Sequence, residues 1–344
     1  MRTRTLLLRR ALLAASLFAA VPAFAQSVRG RVTEPGTGEP VSGAVVMLLD
    51  ARGARVAATL TDAQGAFAVQ AGGPGTYTLR AERVGYAEAV SPALPLAAGQ
   101  AAQQALVMRP RQVTLEPLMV SAAQRACTIR PQAEAAVAWE ELRKALEAAA
   151  VADARGSHTY RKRMFSRVRT LYSRRAYERR EWTSPEFSAE PFHATPVHRL
   201  AQHGYVEDVG GDSLIFHAPD AHTLLSDEFL EQHCFRLREG RGVIGLEFAP
   251  TADRTLPDVR GVLWMDRRTA RLRRLEYTYV NLPYENPDDR LGGELHFEQL
   301  PDGAWIVRSW IVSMPRLRRE DDQMSVIAVA EQGGDIIDIR PRQQ

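Results

Sequence analysis

The stretch Gly261-Val-Leu-Trp-Met-Asp266, Arg267-Arg-Thr-Ala270 and Leu272-Arg-Arg-Leu-Glu-Tyr-Thr-Tyr279 decides how this chain folds. It continues through Gly293-Glu-Leu-His-Phe297, a Pro301-Asp302-Gly303 turn and a run from Trp305 to Met314. Runs rich in Val, Leu, Tyr and Trp, separated by short polar turns, spell an antiparallel meander. Successive side chains of a strand point to opposite faces, so one face of such a sheet can wrap a core. Working outward, Gly242 to Ala249 leads into the meander, and Met324 to Ala330 and Ile336 to Ile339 close it.

Upstream, Ala133 to Ala152 is alanine-rich and has helical period. Trp139, Leu142, Leu146 and Ala149 fall on one face; Glu140, Glu141, Arg143, Lys144 and Glu147 fall on the other. Gly156 ends the helix. Its apolar stripe is expected to pack on the meander, with Trp139 and Leu146 near Trp264 and Trp305. Leu214 to Phe216 reads as a strand. Leu224 to Cys234 reads as a short helix with Ser226 as N-cap and acids in its first turn.

Between the long helix and these elements the chain is strongly basic. From His158 to Trp182, Tyr160, Met164, Val168 and Tyr172 recur at even intervals, so one or two strands are expected. Arg161, Arg163, Arg167 and Arg169 then share a face. That face could bind an anion such as a phospholipid head group or lipopolysaccharide phosphate, since guanidinium forks suit phosphate. The competing reading is a solvated face whose arginines pair with Glu and Asp across strands. A near-neutral mature chain supplies those acids and favours the second.

Residues 27–110 read differently. Val28 to Val32, Ala44 to Leu49, Arg55 to Thr61, Ala66 to Val69 and Thr76 to Ala81 are short apolar or β-branched runs. Gly, Pro and Asp turns separate them, which argues for a small all-β sandwich filled by Phe67, Tyr77 and Leu79. The motifs Val28-x-Gly30-x-Val32, Gly38-x-Pro40-Val41-x-Gly43-Ala44-x-Val46, Thr61-Asp62-x-x-Gly65-x-Phe67, Gly75-x-Tyr77-x-Leu79 and Gly85-Tyr86 resemble the carboxypeptidase regulatory-like domain, a transthyretin-like sandwich. The resemblance implies a sandwich with no catalytic residues of its own. Leu115-Glu116-x-x-x-Val120 is similar to the docking peptide of outer-membrane receptors that follow this sandwich, but a final strand plus linker is the reading taken.

The phrases Gly261-x-Leu263-Trp264-x-Asp266-x-x-Thr269-x-x-Leu272-x-x-Leu275 and Leu300-Pro-Asp302-Gly-x-Trp305 resemble the half-barrel of lipoprotein-carrier and lipoprotein-receptor proteins. This likeness implies a cavity suited to an acyl chain or another amphipathic ligand. The expected fold is therefore mainly β: an N-terminal transthyretin-like sandwich, then an α+β curved antiparallel sheet with one packed helix.

The chain opens with Arg2, Arg4, Arg9 and Arg10, an apolar run from Ala11 to Val21, and Ala23-Phe24-Ala25. A basic start, a short apolar core and an Ala-x-Ala site describe a secretory signal peptide over residues 1–25. No later run approaches a membrane span. The remaining divisions are expected at 26–110 for the sandwich, 111–132 for a linker and 133–340 for the half-barrel-like domain. Removing four arginines from a net charge of +3 leaves about −1, so charge gives no case for nucleic-acid binding. Cys127 and Cys234 are the two cysteines, and in an exported protein a single disulfide between them is the simplest expectation.

The search for chemistry assigns no catalytic, cofactor-binding or metal-ligating residue. His193, His198, His203, His217, His222 and His233 lack metal-site spacing. Tyr284-Glu-Asn-Pro-Asp288-Asp289 and Glu320-Asp321-Asp322 lack the ligand alternation of a calcium loop. No Gly-x-Ser-x-Gly elbow and no phosphate-binding glycine loop occurs. The expected protein is a non-enzymatic component of the periplasm or outer membrane, with no cofactor. It would bind an apolar, lipid-like envelope component, or else serve as a protein-interaction module of an outer-membrane assembly; a hydrolase built on the histidines ranks third.

Overall fold

The computed structural model describes residues 26–111, 134–156, 158–171, 175–189, 195–209, 214–267, 271–284, 291–320 and 323–342. The segment expected as a signal peptide, most of the expected linker with Cys127, Tyr172, His193, Thr269, Asp288, Asp289, Asp321 and Asp322 lie outside the described residues.

The first part contains β1 (Gln26–Thr33), β2 (Val45–Leu49), β3 (Arg55–Leu60), β4 (Ala66–Ala71), β5 (Gly75–Glu82), β6 (Ala89–Val90), β7 (Leu94–Leu96) and β8 (Ala101–Val107). One sheet has the order β4-β1-β8, with β1 and β8 parallel; the other has the order β3-β2-β5-β6, with β7 also on β5. Val28, Val32, Val46, Leu48 and Leu106 fill the space between them, together with the expected Phe67, Tyr77 and Leu79. Strand β8 was not expected, because Ala-Ala-Gln-Gln-Ala carries little strand propensity and takes its form from pairing with β1.

The long helix α1 (Glu134–Arg155) ends at Gly156, whose φ of +53° lies in the left-handed region. Then come β9 (His158–Arg169), β10 (Ala176–Thr183), α2 (Val197–His203), β11 (Val206–Asp208), β12 (Leu214–Phe216), α3 (Ala221–Leu225) and α4 (Asp227–Gln232). Ser226 caps α4 through its hydroxyl, which accepts from the Phe229 N–H at 3.1 Å. His233 and Cys234, expected at the end of this helix, instead start a strand.

The meander comprises β13 (His233–Gly240), β14 (Val243–Pro250), β15 (Asp258–Asp266), β16 (Leu272–Val280), β17 (Gly292–Gln299), β18 (Trp305–Glu320) and β19 (Gln323–Pro341). With the two basic strands it forms one nine-stranded sheet, ordered β10-β9-β19-β18-β17-β16-β15-β14-β13. The pair Met324 to Ala330 and Ile336 to Ile339, expected as separate strands, is one strand. Gly333 and Gly334 sit inside it because a side chain there would run into Phe165, Met164 and Trp310. The fold is mainly β, as expected.

The apolar side of this sheet is filled. Leu142 and Leu146 of α1, Leu224 of α3 and Phe229 of α4 pack with Leu246, Phe248, Leu263, Met265, Leu272, Leu275, Leu295 and Trp305. Trp139 is partly buried against the same cluster, with its ring 5.9 Å from that of Phe235. Trp264 differs from expectation. It lies on the other side of β15, its ring resting where a side chain of Gly245 would be.

This core also reaches into the sandwich. Every residue of β2 is buried: Val46 and Leu48 face the sandwich interior, while Val45, Met47 and Leu49 face α1 and the large sheet. A strand buried on both faces reads as an unbroken apolar run, as Val45-Val-Met-Leu-Leu49 does. The junction is held further by Glu82 accepting from Arg143 Nη2 at 2.7 Å, by Arg55 paired with Glu147, and by Lys144 donating to the Tyr86 carbonyl at 3.1 Å.

Candidate interaction face

The side of the nine-stranded sheet that turns away from α1 carries the polar residues, and its layout follows from strand register. One row across the strands runs Glu181, Phe165, Gly333, Ile311, Glu294, Glu276, Val262, Glu247 and Arg236. A neighbouring row includes Arg163, Asp335, His296, Arg274, Trp264 and Arg238. Toward the β13 end the face is hollowed into an open trough of about 890 Å³, with Arg236, Arg238, Glu247, Arg260, Glu276 and Glu294 on its walls.

The four arginines expected to share a face do so, on this side. Their surroundings are not those of an open cationic groove. Arg163 grips Asp335 through two bonds of 3.0 Å, and Asp335 stands directly opposite it on β19. Arg167 and Arg169 both donate to Glu331, the latter at 2.8 Å. Burial of Glu331 opposes its ionisation, yet the two guanidiniums prevail and hold its carboxyl below the usual range. Arg161 lies over the ring of Phe187 at 4.9 Å. Carboxylates therefore pair with three of the four arginines, Arg163, Arg167 and Arg169, while Arg161 Nε is buried with no hydrogen-bond partner among the described residues.

Sequence reading does not single out the trough residues, although one signal for them is present. Arg274, Glu276 and Thr278 alternate with Leu275, Tyr277 and Tyr279, which puts the polar set on one face of β16. Glu276 and Glu294 stand directly opposite each other, and like charges so placed repel. Arg274 bridges them, at 2.6 Å from Glu276 and 3.8 Å from Glu294, and Trp264 Nε1 donates to Glu276 at 2.7 Å. Arg236 pairs with Glu247. Arg238 is exposed and has no carboxylate partner among the described residues; exposed Arg260 has only the Thr278 hydroxyl, at 3.3 Å.

Cys234 borders this face, since it alternates with the inward Phe235 and pairs with Ala249 of the trough wall. It is buried, and no cysteine is a free thiol among the described residues. Cys127 lies outside them.

Among the described residues only His203 and His217 come near a shared group, the Glu207 carboxylate, with His217 Nε2 at 3.6 Å. His198 and His203 belong to α2 and His222 to α3. His217 Nδ1 is 2.7 Å from the Thr195 hydroxyl, and burial lowers its pKa, against the pull of Glu207. His233 is buried between structural partners, the Phe229 carbonyl at 2.9 Å and Asp258 at 3.1 Å. Among the described residues no group of three or more His, Cys, Asp or Glu could hold a metal ion. No helix among them is long and apolar enough to cross a membrane.

Residues 27–109 match the family model of the carboxypeptidase regulatory-like domain, so the first sandwich is a domain of this kind. No curated protein matches the chain. Similar solved structures include a DUF1329 family protein from Desulfovibrio piger, at 13% identity over 57% of this chain and 93% of that one, with a TM-score of 0.24. A putative membrane-associated protein of unknown function from Bacteroides fragilis shares 12% identity over 91% and 98%, with a TM-score of 0.18. The major pilin subunit BcpA of Bacillus cereus shares 10% over 90% and 95%, with a TM-score of 0.20. Scores this low carry no function across, and none of the three is described as a lipoprotein carrier.

Proposed function

We propose that this chain is a non-enzymatic protein of the cell envelope that holds a partner protein on the open face of its nine-stranded sheet. The observation that carries this reading is where the apolar surface has gone. The side chains that would line an acyl-chain cavity instead contact one another, α1 and the sandwich. What the sheet leaves open is a polar trough with two guanidiniums, Arg238 and Arg260, that lack carboxylate partners among the described residues. Polar, charge-mixed surfaces of this kind suit a protein partner better than a lipid tail. The signal-peptide pattern supports export.

Photo-crosslinkers placed beside Arg238 and Arg260 in cells should yield one discrete protein adduct. The Arg238→Glu, Arg260→Glu double variant should weaken capture at least tenfold, since a hydrogen bond to a charged group contributes about 1.5–3 kcal/mol. Stoichiometric lipid in the purified mature protein, with no protein adduct, would instead restore the lipid-carrier reading.

A Cys127–Cys234 disulfide belongs to the same proposal, because Cys234 sits at the border of the trough. Thiol counting on the mature, denatured protein should find none before reduction and two after. Two reactive thiols in the unreduced protein would rule the bond out.

A further inference from the structure

We propose that two copies of this chain pair through β8, edge to edge and antiparallel, to make one continuous sheet across a two-fold axis. Among the described residues, the edges of the other large strands are blunted or covered. Strand β10 carries Glu178, Arg179, Arg180 and Glu181, and charge on an edge strand discourages pairing. Strand β13 carries Arg236, Arg238 and Glu239. Strand β3 lies under α1, and β4 borders the cleft that Arg155 and Asp302 close.

Strand β8 has seven residues, no charge and no proline. The Met108 N–H donates to the Thr33 carbonyl, and the Ser27 N–H donates to the Gln100 carbonyl. Even-numbered residues therefore face β1, so Ala101, Gln103, Ala105 and Val107 turn their backbone groups outward. The Ala105 carbonyl is turned that way, accepting from the Gln104 side-chain amide at 2.8 Å.

The strand is also self-complementary. Antiparallel pairing centred on Gln104 sets Gln103 opposite Ala105 of the second copy, and Ala101 opposite its Val107. The outward-facing residues then become the hydrogen-bonded pairs, and no like charges meet. Val107, 52% exposed, would lose solvent contact at the joint. An interface that presents the same patch from both copies closes on itself as a dimer.

Light scattering on the mature protein should give the mass of a dimer at high concentration. Gln103→Lys with Ala105→Lys should give a monomer that keeps the far-ultraviolet circular dichroism of the unaltered protein, as should Gln103→Glu with Ala105→Glu. Mixing the two variants should restore the dimer, because each lysine then faces a glutamate. A monomer at every concentration overturns the proposal, as does a dimer that both variants leave intact. Dimer loss in the Arg238→Glu, Arg260→Glu variant would place the contact on the trough instead and likewise overturn it.

Discussion

Replacing Glu141 by alanine should lower the stability of the protein by about 3–5 kcal/mol, the cost of stranding a buried charge. Glu141 lies on α1 with its side chain fully buried. One carboxylate oxygen accepts from the Gly85 N–H at 2.9 Å; the other meets Lys144 Nζ at 2.8 Å and Arg111 at 3.6 Å. Lys144 is itself only 8% exposed. Without the carboxylate, an ammonium and a backbone donor would be left in a site from which water is largely excluded. Chemical denaturation of the protein measures the loss. A change below about 1 kcal/mol, the range of an exposed pair, would mean that water reaches this site.

Replacing Gly303 by valine should cost a similar amount and act on the same junction from the other side. Gly303 has φ of +86° and Gly43 has φ of +68°. They stand backbone to backbone: a β-carbon on Gly43 would come within 2.5 Å of Gly303 Cα, and one on Gly303 would overlap Gly43 Cα. The substitution combines left-handed strain of about 1–2 kcal/mol with overpacking of about 1–3 kcal/mol, and backbone on the far side cannot rotate away. A lowered melting temperature and increased proteolysis near residue 303 are the expected readouts. Unchanged values for both would show that the sandwich and sheet do not touch here.

Together these two residues change how the sandwich is understood. It is not a module hung on a linker, because one face of β2 is spent on the core that α1 and the large sheet share. What it has left for partners is the β4-β1-β8 sheet and its uncharged edge. The large sheet has its polar face. The two candidate surfaces thus lie on different sheets, so their variants can be tested separately.

Much of this was legible in residue order. Strand alternation in Leu272 to Tyr279, the apolar stripe of α1 and the turn at Pro301-Asp302-Gly303 each express a local rule, and local rules act on near neighbours. The sandwich motif ending in Gly85-Tyr86 was equally plain. Sequence order could place Arg163 and Arg167 on one face, but not show that Asp335 and Glu331, far along the chain, stand across from them. Nor could it send Trp264 to the side opposite Trp305, bring Gly43 to Gly303, or make a strand of Ala101 to Val107. Those outcomes depend on register between distant strands, which only the packed sheet sets.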